Sequence, residues 1–276
     1  MSDDLTAEEI TAILLDRLGE RVDDGENRLP PTAHNKLIHF IKKELGARDI
    51  EADLPLFWYM YGPVAVKHGT GVYEEERSGG TGVACETSVD DVTASAVAVR
   101  EAERAVDTAL DLYFERQLDG LIRLSYQDAP YEVQRVYLEF RNQLESEANE
   151  DQATLSDFGS QTGPSVRNVL YDFINEFPAS EYPSYEGDLH TWYRLLSAEL
   201  DADEYDASDA LRVTERFWRL FCLELACREN TGVDHSTIET DLPGVEDIDK
   251  EKAKIRRWFS RLEQEKTRRN FGTMKP

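Results

Sequence analysis

Apolar residues recur at helical spacing along most of this chain. Ile10, Ile13, Leu14 and Leu18 follow a Thr6/Glu9 capping pattern and predict a helix over 6–18. After a loop at 22–31 (VDDGENRLPP), Leu37, Ile38, Ile41 and Leu45 predict a second over 33–45. One stripe of Val99, Ala102, Val106, Leu110 and Tyr113 predicts a long helix over about 92–118. The same periodicity predicts helices over 130–147, 165–177, 187–200, 208–228 and 247–268. Within 208–228 the run FWRLFCLELAC is charged only at Arg219 and Glu224, the pattern of a helix buried on nearly all sides.

Two stretches break the helical period. LFWYMYGPVA (56–65) packs four aromatics into five positions before Gly62-Pro63. Leu54–Tyr61 is predicted as a strand or extended turn stopped by Gly62-Pro63. Its period-2 alternation should place one face of Phe57, Tyr59 and Tyr61 in the core. Further on, Val72–Arg77 and Val83–Thr87 flank Ser78-Gly79-Gly80-Thr81 and predict a hairpin. A length of 276 residues suggests two domains. The predicted architecture is mainly α: a winged-helix-like α+β domain with a small hairpin over 1–125, then a helical bundle over 126–276 ending in a basic helix. The boundary falls near 120–130 or in the acidic loop 149–163.

HNKLIHFIKKEL (34–45) leading to LPLFWYMYGPVA (54–65) resembles the Panacea family, the SocA-like antitoxin domain, in which a Lys-Leu helix leads to an aromatic strand ending in Gly-Pro. The matching residues are Lys36-Leu37, Phe57, Tyr59, Tyr61, Gly62 and Pro63. The family continues from Gly-Pro into a helix, whereas this chain gives Lys67-His68-Gly69-Thr70-Gly71. The resemblance implies that the aromatics form the core strand of a domain that binds a protein partner and neutralises or adapts it. It supplies no catalytic residue.

Composition adds a habitat. There are 56 acidic and 31 basic residues, a net charge of −25, and the bases are 9 Lys against 22 Arg. This balance resembles that of proteins from salt-in halophilic archaea, where salt screens a highly charged surface. The opening MSDDLTAEE is polar and acidic and predicts no secretion signal, and no run of 18 apolar residues predicts a membrane span, so a cytoplasmic location is expected. Cys85, Cys222 and Cys227 give neither a disulfide framework nor a CxxC pair.

Catalytic patterns are sparse, and neither metal nor cofactor is predicted. The glycines at 69–71 and 79–82 lack the Lys of a phosphate loop. No His pair has metal spacing. Arg28…His34 and Arg228…His235 resemble the Arg–His motif of HEPN ribonucleases, in which His moves a proton and Arg holds phosphate. Twenty-two Arg and five His give about that many such pairs by chance.

Charge is segregated. Residues 250–276 carry ten bases against three acids, leaving −32 on residues 1–249. At 100° per residue Lys250, Lys254, Arg257, Arg261 and Arg268 share one stripe, with Ile248, Ile255, Trp258, Phe259 and Leu262 mostly opposite. Lys254, Arg257, Arg261, Arg268 and Arg269 are therefore the candidate partner-binding residues. The expected partner is a protein; nucleic acid is the alternative, and the same stripe could instead contact the protein's own acidic surface. The expected function is a non-enzymatic interaction or regulatory protein, antitoxin- or defence-associated. The alternatives are a winged-helix DNA-binding regulator using 33–87 and, more distantly, a HEPN-like nuclease.

The charge balance generates one test. As the Debye length grows to about 30 Å at 0.01 M salt, carboxylate repulsion should lower stability. Thermal melts should rise markedly from 0.01 M to 2 M KCl; equal melting temperatures would refute the halophilic reading.

Overall fold

The computed structural model describes residues 5–22, 29–77, 80–150, 166–202, 205–242 and 244–272. It is mainly helical, with small two-stranded sheets among the described residues. Two compact units divide the chain. One comprises residues 1–128 with 225–246, the other 129–224 with 247–276.

In the first unit, β1 (Leu5–Thr6) leads into α1 (Ala7–Arg21) through the expected capping box. The Thr6 hydroxyl accepts the Glu9 N–H at 3.2 Å, and the Glu9 carboxylate accepts the Thr6 N–H at 3.0 Å. β1 pairs in parallel with β2 (Ala52–Asp53), a contact too short to leave a pattern in the sequence. α2 (Pro31–Gly46) starts at a proline, whose missing N–H is no loss in a first turn. Ile10, Leu14, Leu37, Ile41, Ala102, Val106 and Leu110 are buried in one common core.

The helix expected to end near 118 is longer and broken. α3 (Ala96–Gln127) is capped by Ser95 and carries non-helical angles at Gln117 (φ 56°, ψ −177°). Its buried stripe ends at Leu110, ahead of the break. A second run resumes from 118 and buries Leu121, Ser125 and Tyr126.

The aromatic stretch is a strand, as expected, but Gly62-Pro63 does not end it. β3 (Leu56–Tyr59) and β4 (Gly62–Ala65) form an antiparallel pair, Leu56 opposite Ala65 and Tyr59 opposite Gly62. Met60-Tyr61 make the turn, with Met60 at φ 28°, and Gly62-Pro63 open the return strand. Burial also fails to alternate. Leu56 and Phe57 are both buried, Trp58 and Tyr59 half-buried, and Tyr61 is 38% exposed. The cause lies far along the chain. Residues 229–231 cover the outer edge of β3: the Trp58 N–H donates to the Glu229 carbonyl at 3.3 Å, the Thr231 N–H to the Leu56 carbonyl at 3.0 Å, and Phe57 bridges Asn230. Protection is therefore greatest at the start of the strand and lost at the turn.

The matched residues converge on a buried lysine. Lys36, only 2% exposed, donates from Nζ to the Pro63 carbonyl at 3.1 Å. Gly62 sits at φ 110°, and a Cβ there would lie 2.9 Å from Lys36 Nζ and 2.8 Å from Ser125 Oγ. The Tyr126 hydroxyl donates to the Met60 carbonyl. Nearby, Asp128 accepts from His39 at 3.0 Å and from Lys43 at 2.5 Å. Burial with no carboxylate partner holds the Lys36 amine down to about 7.

The predicted hairpin follows as β5 (Val72–Arg77) and β6 (Gly80–Cys85), β6 starting earlier than expected. Ser78 and Gly79 lie outside the described residues. α8 (His235–Asp241), capped by Asp234, has seven residues with Ile238 alone apolar, too little periodicity to be read.

The second unit holds α4 (Glu132–Glu150), α5 (Val166–Glu176), α6 (Glu186–Leu200), all but the end of α7 (Ala207–Arg228), and α9 (Ile248–Gly272). Most of the predicted acidic loop 149–163, and Ser165 at the start of the helix predicted over 165–177, lie outside the described residues. α7 is buried as its sequence demands, through Phe217, Trp218, Leu220, Phe221, Cys222 and Leu223. Aromatic rings fill the unit: Tyr137 stacks on Trp218 at 4.0 Å, and Trp192 on Phe217 at 4.8 Å.

Lys36 makes this core pH-sensitive. Between pH 7 and 10.5 the unfolded chain holds a proton that the folded one does not, so stability rises with pH, by at most about 1.4 kcal/mol per unit. Lys36→Met removes that slope. Its stability relative to wild type should be highest at pH 7 and decline toward pH 10 in denaturant titrations; a pH-independent difference would refute the assignment.

Candidate functional site

α9 is capped by Asp247, whose carboxylate accepts the Lys250 N–H at 2.8 Å. That contact, foremost, holds the Asp247 carboxyl below its usual range. Ile248, Ile255 and Phe259 are buried and fix the inner side of the helix, while Trp258 and Leu262 are half-buried. The Arg216 guanidinium lies 4.7 Å over the Trp258 ring.

The cations of α9 fall into two groups. Those flanking the apolar stripe are paired within the unit. Lys252 Nζ donates to Glu224 at 2.7 Å. Arg256 grips Asp188 through Nε at 2.9 Å and a terminal nitrogen at 2.8 Å, and lies 5.3 Å over the Tyr185 ring. Lys266 pairs with Glu199, and Arg194 reaches back to Glu263. The Asp188 carboxylate raises the Arg256 pKa, while burial, helped by Glu224, raises that of the Tyr185 hydroxyl.

The outward stripe is different. Lys250 and Lys254 contact Asp247 and Glu251 on the same segment, at 3.0 and 3.2 Å. Arg257, Arg261 and Arg268 are exposed and have no ionic, hydrogen-bonding or ring partner among the described residues. They stand at i, i+4 and i+11, a spread of about 40° around the axis and about 16 Å along it. The side chain of Arg269 lies outside the described residues.

Such a stripe offers planar, multidentate donors for carboxylate or phosphate and has no group for moving a proton. Among the described residues no cluster of three or more His, Cys, Asp or Glu could hold a metal, and no helix is long and apolar enough to cross a membrane. His34 is buried with Nε2 3.1 Å from the Thr11 hydroxyl. Thr11 donates its own proton to the Ala7 carbonyl at 2.8 Å, so it accepts from His34. Burial holds the His34 imidazole down to about 3. Its partner in the Arg–His spacing, Arg28, lies outside the described residues. His235 is exposed, 3.7 Å from Glu239.

Comparison with family models, with curated proteins and with solved structures finds no match for this chain.

Proposed function

We propose that this protein is a non-enzymatic interaction protein that captures an anionic protein partner on the outward stripe of α9. The observation that carries the reading is that Arg257, Arg261 and Arg268 have no partner among the described residues, in a chain with 56 acidic residues. Cations on the inner flank of the same helix all have partners within the unit. Three guanidinium groups held on one rigid face could each grip a partner carboxylate through two parallel hydrogen bonds, a contact less sensitive to screening than a diffuse charge.

A Panacea-like, antitoxin- or defence-associated role is part of this proposal. It is supported by the way Lys36, Phe57, Gly62 and Pro63, four of the residues of the resemblance, come together around one hairpin. The winged-helix DNA-binding alternative is less favoured, because the cations of α2 are already engaged. Lys36 bonds the Pro63 carbonyl, Lys42 the Leu54 carbonyl at 2.7 Å, and Lys43 Asp128. None is left to meet phosphate.

The test compares wild type with the Arg257→Gln/Arg261→Gln/Arg268→Gln variant, immobilised and exposed to lysate of the source cell at its native ionic strength. The variant should melt close to wild type, since exposed charges contribute only about 0–1 kcal/mol per pair. Wild type should retain an acidic protein in stoichiometric amount and the variant should not. Retention of nucleic acid in its place would favour the DNA-binding alternative, and equal capture by both proteins would overturn the reading.

A further inference from the structure

The hairpin of the first unit has an open side. β5 pairs with β6 from Val72 opposite Cys85 to Arg77 opposite Gly80. Just before it, the Gly71 carbonyl accepts the Glu86 N–H at 3.3 Å. The odd-numbered residues of β5 therefore turn their N–H and C=O groups toward β6, and Val72, Glu74 and Glu76 turn theirs away. The far edge of β6 is met at Val83, whose N–H donates to the Leu29 carbonyl at 3.0 Å. Among the described residues the far edge of β5 has no strand beside it. The Val72 N–H finds only the Thr70 hydroxyl at 3.4 Å, and the backbone groups of Glu74 and Glu76 on that edge have no partner among the described residues.

At its start this edge adjoins a groove of about 480 Å³, with Tyr73, Glu74 and Glu86 on the hairpin side and Asp241 and Leu242 across from them. The far wall is fixed in place. Asp241, the last residue of α8, accepts the Lys67 N–H at 2.7 Å and the His68 N–H at 3.1 Å. The groove's single lysine, Lys67, is 3.2 Å from Glu74, which leaves Glu86 with no cation among the described residues.

An unpaired strand edge is a template for another strand, and side chains decide which strand can use it. Here they are Glu74, Glu75 and Glu76 in succession, three acids with Lys67 paired to the first of them. They would repel a second copy of β5, which carries the same three charges, and they would attract an incoming strand with Lys or Arg opposite them. We infer that the outer edge of β5 docks an extended basic segment of a partner protein, which adds to the hairpin as a third strand. This surface is separate from the α9 stripe and of opposite sign, so either can fail without the other.

An acidic protein attracts any cationic peptide, so the test must separate pairing from charge. The probe is a capped, fluorescein-labelled octapeptide of alternating Arg and Val, titrated by anisotropy at fixed salt. Two forms N-methylated at alternate residues, one for each parity, keep the charge but remove one row of N–H groups. Strand addition requires one parity to weaken binding by at least about tenfold while the other does not, because only alternate N–H groups face the partner strand. A Glu–Val octapeptide should not bind. Glu74→Pro removes an outward N–H without touching the ladder to β6; measured against Glu74→Gln, which loses the same charge but keeps the N–H, it should weaken binding of the unmodified peptide to a similar degree, with the circular dichroism spectrum unchanged. Equal binding of both methylated forms, or no saturable binding of the Arg–Val peptide, would overturn the proposal.

Discussion

A shortage of cations governs this molecule. Each Lys or Arg must hold down nearly two carboxylates, and self-repulsion works against any compact state. The geometry shows how they are used. Arg17 and Arg21 of α1 share Asp107 of α3, and Arg21 also reaches Asp111, so two cations bind a pair of acids one helical turn apart. Arg48 pairs with Glu44 and lies near Glu101. Lys252, Arg256 and Lys266 fasten α9 to three different carboxylates of its own unit. Where cations are scarce, those left pointing at solvent, and acids left without cover, stand out against the background.

Lys36 departs from that economy in the core. One of only nine lysines is placed where no carboxylate meets it, held by a backbone carbonyl. Such a group is poorly compensated when charged, and removing it would leave the Pro63 carbonyl without its donor. It joins α2 to the β3–β4 hairpin, beside the Ser125–Tyr126 turn of α3. The bond fixes a geometry more than it adds stability.

The helices were legible because a 3.6-residue period leaves a mark wherever one side is buried. Thr6, Glu9 and the FWRLFCLELAC run each specified their surroundings locally. What escaped depended on distant partners. The edge cover at residues 229–231 determines which aromatics of β3 are protected, and nothing within 56–65 encodes it. The break at Gln117 has no glycine or proline to announce it. On α9 the helical wheel correctly separated apolar from basic positions. It also set Arg257, on the outward stripe, apart from its neighbour Arg256, which lies off it; what it could not supply is the carboxylate, Asp188, that another helix presents to Arg256. The open edge of β5 went unread for a related reason: a missing neighbour leaves no trace in a strand's own sequence.

The return of residues 225–246 to the first unit has a consequence for how the chain is made. Thr231 closes the edge of β3 across 175 positions, and Asp241 meets Lys67 across 174. On a ribosome releasing residues in order, the hairpin at 56–65 emerges long before the segment that covers it, and the whole second unit except α9 is synthesised in between. Closing so long a loop is slow relative to forming local helices. The hairpin, made well before its cover, is therefore among the last parts of its unit to be finished, and until then the aromatic strand exposes an uncovered edge to any holdase or neighbouring nascent chain.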